Sequence, residues 1–518
     1  MRYAAAWGRV DSRLKKSDTG VMIKTHYDVL IVGAGLSGIG AAVHLLKKCP
    51  GKSYQILEMR DAMGGTWDLF RYPGIRSDSD MHTLGFNFKP WKAQKAIADG
   101  PAIREYIHET ADEYGINPNI RYGHKVVAAE WDSATAKWTV SVEADGKTQK
   151  LTCQWLHMCA GYYRYDQGYT PEFKGRDDFK GDIIHPQHWP EDYDYSGKKV
   201  VVIGSGATAM TVVPAMTDKA AHVTMLQRSP TYVVSRPSED KFANGLRKVL
   251  PSMMAYGITR WRNVLMQLFV YNQTRRRPER VKDRLLEMTR EEIGDEMVEK
   301  HFTPTYNPWD QRLCLIPDGD LYTALNEGKA SVVTEQIDCF TETGIKLASG
   351  EELEADLIVT ATGLDLQFIG GTEITVDGRK QTPHELLNYR GAMVSNIPNL
   401  TAVFGYTNAS WTLRADLTSE YMCKVLNHLD RENYVEARPV ADGVEPAQDF
   451  LDFSSGYVQG AVERFPQQGK DAPWVITQNY ARDIFLMRYG KLEDGSLIFR
   501  RAHETVDQVA GAVPVAAE

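Results

Sequence analysis

Two glycine clusters, each lying between a β-branched run and a helix-forming run, carry most of the chemistry legible in this 518-residue chain. Gly33-x-Gly35-x-x-Gly38 follows YDVLIV and opens a helix. In such a turn the first glycine permits the tight reversal, the second lets the backbone approach a pyrophosphate, and the third lets the helix pack on the strand. The helix N-terminus then presents free N–H groups and partial positive charge to the phosphates. Glu58 ends the next strand, 20 residues after Gly38. A carboxylate there accepts hydrogen bonds from both ribose hydroxyls and repels a 2′-phosphate. The second cluster is Gly204-x-Gly206-x-x-Ala209, and its second strand ends in Gln227-Arg228-Ser229-Pro230 with no acid. Arg228 suits a 2′-phosphate through charge-assisted bonds, and Ser229 adds a hydroxyl. The first site is therefore expected to hold a dinucleotide with a free ribose and the second to prefer NADPH. Two such sites in one chain point to FAD plus NADPH, with hydride passing from nicotinamide to flavin.

The flavin then needs an acceptor. Cys49, Cys153, Cys159, Cys314, Cys339 and Cys423 are scattered, with no C-x-x-C pair. This disfavours a disulfide reductase, a zinc ribbon and a secreted disulfide framework, and a reducing cytoplasm fits best. Three other stretches bear on the acceptor. A glycine loop after Glu58 reads Gly64-Gly65-Thr66-Trp67, then Arg71-Tyr72-Pro73-Gly74, then Asp78. The stretch Phe179-x-Gly181-x-x-x-His185-x-x-x-Trp189-Pro190 stands just before the second glycine unit. Small-residue strand ends, Cys159-Ala160-Gly161-Tyr162-Tyr163 and Ala361-Thr362-Gly363, are expected where the chain crosses between the two units. His185 and His188 are three apart, but no further ligand lies near in sequence, so no metal site is expected.

With these stretches the chain resembles the flavin-dependent Baeyer–Villiger monooxygenases, class B flavoprotein monooxygenases. The Phe-Gly-His-Trp-Pro stretch matches the long fingerprint of that family at every fixed position. The Gly-Gly-x-Trp…Tyr-Pro-Gly…Asp stretch matches a second fingerprint, which separates these enzymes from relatives that oxidise only heteroatoms. The resemblance runs from about residue 25 to 500 and is strongest to the ethionamide-activating subgroup, through GGTWDLFRYPGIRSDSDMHTLGF, PWDQRLCLIPDGDLY and GYTNASWTLRADL. It implies that Arg312 is the catalytic arginine and that Asp78 pairs with it. Many relatives carry Lys directly before that arginine. Here the position is Gln311, which puts one phosphate contact in doubt. His185 would act in domain motion and cofactor coupling, Trp67 near the flavin or in the core, and Asn408 before a helix aimed at the flavin. The implied reaction uses NADPH and O₂. A C4a-peroxyflavin attacks a ketone, and one carbon migrates to oxygen to give an ester or lactone, with sulfide oxidation as a companion activity. A fixed cation in a water-poor site stabilises the oxygen anion, a role suited to an arginine that keeps its proton. Oxidation of heteroatoms alone, or NADPH:flavin reduction without oxygenation, remain the competing activities.

These residues need elements to hold them. Buried β-branched strands alternating with helices read as parallel sheets covered on both faces. The expected fold is α/β, with two Rossmann-like dinucleotide-binding domains, the NADP domain inserted into the FAD domain, and a helical insertion. The expected division is a flexible leader over 1–24, an FAD domain over 25–165, a linker over 166–195, an NADP domain over 196–345 with a helical insert at 238–300, and a second FAD part over 346–518. VVAAEWD and KWTVSVEAD alternate as a hairpin or small meander, and 412–428 reads as a helix. The N-terminus lacks the apolar core of a signal peptide, and no apolar run is long enough to span a bilayer. Net charge is −8, which disfavours nucleic acid as a partner. Residues 241–282 depart from that balance. Ten Lys and Arg residues there interleave with Met, Trp, Phe and Tyr. They read either as a face resting on anionic lipid, a peripheral membrane contact, or as a solvated face over an apolar substrate tunnel.

Overall fold

The strand His26–Val32 stands near the centre of a nine-stranded sheet, parallel to Tyr54–Leu57 on one side and to Lys147–Met158 on the other. Side chains alternate along a strand, so a strand with both faces covered must be apolar throughout. Val29 and Ile31 join one core with Ile39, Leu413 and Leu417, from helices Leu36–Lys48 and Trp411–Glu432. Leu30 and Val32 join the opposite core with Trp131, Trp138 and Leu156. The computed structural model describes residues 14–16, 22–311, 313–451 and 456–505.

The meander expected between the two glycine units is present. Lys125–Asp132, Lys137–Ala144 and Lys147–Met158 pair antiparallel in turn. Their buried tryptophans find partners for the indole N–H, as burial requires. Trp138 Nε1 donates to the Asn399 carbonyl at 3.2 Å and Trp155 Nε1 to Thr401 Oγ1 at 2.9 Å.

The second sheet is wholly parallel, in the order Asp182–Ile184, Leu357–Thr360, Lys199–Ile203, His222–Gln227, Ala330–Thr334. Its extent corrects the expected boundaries. Asp182–Ile184 lies inside the stretch expected to be linker, and Leu357–Thr360 lies beyond the expected end at 345. The reason is burial: all four side chains of Leu357–Thr360 are buried, and they find cover only between two parallel neighbours. Within the expected leader, Leu14–Lys16 pairs antiparallel with Met22–Lys24.

Two strands, Tyr163–Gly168 and Leu364–Leu366, pair antiparallel as a ribbon. They follow the small-residue ends expected at the crossings, and the second sheet is threaded between them, so one Rossmann-like unit is inserted into the other. The helical insert comprises Lys241–Leu246, Ser252–Arg276, Pro278–Ile293 and Asp295–His301. Among the described residues no helix is long and apolar enough to cross a membrane.

Candidate active site

The two glycine helices open onto one cavity of about 580 Å³. Gly33, Gly35, Leu36 and Ser37 line it from the first helix; Ala207, Thr208 and Thr211 line it from Ala207–Met216 of the second sheet. Neither helix has a side chain capping its N-terminus, so first-turn N–H groups are left for a ligand.

The first glycine turn fits a dinucleotide. Gly33 has φ +104°, and a Cβ there would meet the Cys159 carbonyl at 2.6 Å. A Cβ at Gly38 would collide with the carbonyl oxygen of Gly33, which is why helix and strand approach so closely. Glu58 lines the cavity beyond the turn and is buried. One carboxylate oxygen accepts from Ala34 N at 2.7 Å and the other from Arg60 N at 2.9 Å. Burial outweighs these bonds and pushes its pKa above the usual carboxylate range. A ribose diol donating to the remaining lone pairs would favour the ionised form.

Gly65, Thr66 and Trp67 line the same wall. Thr66 Oγ1 is hydrogen-bonded to Tyr163 OH at 2.6 Å, tying the glycine loop to the ribbon. Asp78 also lines the cavity, on an exposed turn, and makes no ion pair with a described residue. Arg312, its expected partner, lies outside the described residues. The strand that follows, Cys314–Pro317, reaches the cavity through Leu315.

The other expected residues lie around the cavity rather than in its wall. Gly204 turns with φ +135° against the Ala361 carbonyl, and Gly206 caps the second helix. Ala209 is buried one turn in, while Arg228 and Ser229 are exposed at the end of His222–Gln227. His185 packs on Gly168 of the ribbon, where a Cβ would collide with the imidazole. Gln187 Nε2 donates to the Arg164 carbonyl at 2.8 Å and fixes this turn to the ribbon. Burial lowers the His185 pKa, so the ring is neutral near pH 7. Asn408 is a correction to the cofactor wall. Its amide turns away to donate to the Gln478 carbonyl at 2.9 Å, and it lines a separate small void. Its neighbours Ala409 and Trp411 line the main cavity instead.

Several cavity residues had no assigned role in the sequence. Tyr162 stacks on Trp411 with ring centroids 5.1 Å apart, and Trp411 Nε1 donates to Ser37 Oγ at 2.8 Å. Helix Trp411–Glu432 thus begins against the first glycine helix. Burial pushes the Tyr72 phenol above its ordinary value, against a smaller opposing bond from Thr208. Arg76 is ion-paired to Asp320 at the start of Asp320–Asn326, 244 residues away. No local sequence signal marks such a long-range pair. The tyrosine run at 162–165 is visible in sequence, but its direction is not. Among the described residues no three His, Cys, Asp or Glu side chains gather as a metal site.

Known proteins agree with this architecture. The profile of the flavin-binding monooxygenase-like family matches residues 96–373, and that of an NAD(P)-binding Rossmann-like domain matches 31–96. The FAD-containing monooxygenase EthA of Mycobacterium tuberculosis is 53% identical over 481 residues, covering 92% of this chain and 98% of EthA. The probable FAD-binding monooxygenase AlmA of Acinetobacter baylyi is 49% identical over 490 residues, 94% of this chain and 98% of AlmA. In fold, the chain is similar to an oxidised steroid monooxygenase bound to NADP, with a TM-score of 0.74 and 22% identity over 92% of this chain and 100% of that one. With two glycine helices facing one cavity and relatives matched over nearly their whole length, the chain belongs to the family of flavin-binding, FAD-containing monooxygenases.

Proposed function

We propose that this NADPH-dependent flavin monooxygenase converts ketones to esters or lactones and also oxidises sulfides. The observation that carries the reading is the shared cavity: Glu58 and the first glycine turn line one part of it, and the first turn of Ala207–Met216 lines another. A nicotinamide nucleotide on the second helix and a flavin nucleotide on the first would meet inside it. Bound FAD, once reduced by NADPH, supplies the activation of dioxygen. The protein's own groups supply the rest. Uncapped helix N-termini hold the two pyrophosphates. Glu58 orients a ribose, and Arg228 with Ser229 selects the 2′-phosphate at the exposed strand end. Arg312 holds negative charge as it develops on the former carbonyl oxygen, because a guanidinium keeps its proton and offers a fork of donors. Asp78 sets the position of that guanidinium and balances its charge. His185, neutral and seated on the ribbon, couples movement of the second unit to the first.

The test is Arg312→Ala with NADPH, O₂ and a ketone panel, followed by product mass spectrometry. The variant should retain FAD and be reduced by NADPH, yet lose ester formation by at least about a thousandfold. Ester at the wild-type rate refutes the assignment. In the wild type, oxygen added to sulfides only supports a heteroatom oxygenase, and peroxide without product supports a reductase. The reading extends to linear aliphatic ketones, a cytoplasmic setting and peripheral membrane contact through residues 241–282. That contact is supported by the exposed apolar side chains among their arginines.

A further inference from the structure

Helix Ser252–Arg276 carries an apolar stripe on its outward face as well as apolar side chains inside. Met254, Ile258, Trp261, Leu265 and Phe269 recur at spacings of four, three, four and four, so they form one stripe on the helix. That stripe faces outward: Trp261 is 44%, Leu265 57% and Phe269 61% exposed. The inward face carries the polar anchors. Arg260 is buried and donates to the carbonyls of His82 at 2.9 Å and Gly85 at 2.8 Å, and Tyr256 OH donates to the Phe86 carbonyl at 2.9 Å. The orientation is therefore pinned by buried hydrogen bonds. A row of large apolar side chains this long is more than isolated exposed residues on a soluble surface.

Two features say what covers it. Phe485 and Tyr489, 69% and 73% exposed, lie on Phe485–Tyr489, which continues Tyr480–Ile484. Tyr480 contacts Trp261 at 5.9 Å between ring centroids, so this segment adjoins the stripe. In the same insert, Lys241, Lys248, Arg276, Arg277 and Arg280 are exposed and pair with no carboxylate among the described residues, although the chain as a whole carries −8. Exposed aromatic and aliphatic groups that share one helical insert with unpaired cations, on an acidic protein, complement an anionic bilayer.

Behind the stripe is a seam. Val264 and Leu268 of the same helix face Asn408, Ala409 and Tyr480 across a narrow void. Ala409 also lines the main cavity, and Asn408 Oδ1 is buried in the seam without a hydrogen-bond partner. Ala409 thus stands between the small void, which Tyr480 also lines, and the main cavity, so a movement of this seam would join the two. We infer that the outward stripe of Ser252–Arg276 seats the protein on anionic membrane, and that the seam behind it admits long-chain apolar substrates directly from the lipid. The inference rests on the oxygenase reading for the fate of the substrate and on peripheral contact through 241–282 for its setting.

The test uses the FAD-loaded full chain. It should float with phosphatidylcholine–phosphatidylglycerol vesicles at low salt, less at high salt, and not with phosphatidylcholine alone. A Trp261→Ser, Leu265→Ser, Phe269→Ser variant, its fold checked by FAD absorbance, should bind those vesicles about tenfold less. Lipids brominated in the acyl region should quench the wild type more than Trp261→Phe. Absence of flotation at low salt, or unchanged flotation of the triple variant, overturns the docking. So does a wild-type dimer that the triple variant dissociates, with no vesicle binding, since the stripe would then cover a second copy. For the seam, Leu268→Trp should cut kcat/KM about tenfold on a long-chain ketone or thioether presented in vesicles. Flavin reduction by NADPH and turnover of a short water-soluble substrate should persist. Equal loss on both substrates, or no loss on either, removes the seam as the entrance. Flotation with no oxygenated product of any kind sinks the oxygenase reading while leaving the docking intact.

Discussion

Single side chains in this protein show most clearly how burial sets charge. His157 lies at the end of Lys147–Met158, fully buried, with Nδ1 2.7 Å from Thr401 Oγ1. Burial pushes its pKa down to about 3, with the neighbouring imidazole of His44 a smaller cause. The unfolded chain takes up that proton near pH 6.5 while the folded protein refuses it. The stability His157 contributes is thus complete above pH 6.5 and is lost as pH falls toward 3. By pH 5 the loss is about 2 kcal/mol. His157→Gln should flatten this slope, measured as the difference in urea-unfolding free energy between pH 7 and pH 5; an unchanged difference would show that other groups govern the acid limb. Much of the site was legible at this scale, because Gly33, Gly35, Glu58, Thr66 and Trp67 do line the cavity. The direction of Asn408 was not, since a short polar side chain before a helix serves a cavity or a neighbouring loop equally well. Its bond to Gln478 depends on a segment 70 residues away.

Among the elements, the ribbon of Tyr163–Gly168 and Leu364–Leu366 has the largest leverage. It carries Thr66 through Tyr163, the His185 turn through Arg164, and both chain crossings. Gly168 leaves room for the His185 ring, and any side chain there must displace it. Gly168→Ala should keep FAD bound while product per NADPH consumed falls about tenfold and peroxide release rises, since the two units no longer move as a pair. Undiminished coupling would assign His185 a packing role only. Helices and strands were predictable where periodicity is strong: the meander and the helix Trp411–Glu432 follow from alternation and helical spacing alone. The strand Asp182–Ile184 was hidden because three residues give too short a pattern, and its sheet membership depends on Leu357–Thr360, far along the chain.

At the scale of the whole molecule, the two units are also joined away from the ribbon. Arg76, on the loop that leads to Asp78, is paired with Asp320 at the head of a helix in the second unit. A partly exposed pair of this kind is worth at most about 1 kcal/mol in stability. Its effect should be positional: Asp320→Asn should leave the melting temperature nearly unchanged yet raise KM for NADPH about tenfold, with kcat altered less than about twofold. A melting temperature lowered in step with the KM change would point to simple destabilisation instead. The threading of the second unit between two paired strands has another outcome. Its entry and exit lie side by side, so residues between Gly168 and Leu364 form a cassette whose ends already meet. Such a segment can be transplanted between homologues without stretching either chain, and preference for one reduced nicotinamide over the other can travel with it while the oxygenation machinery stays behind.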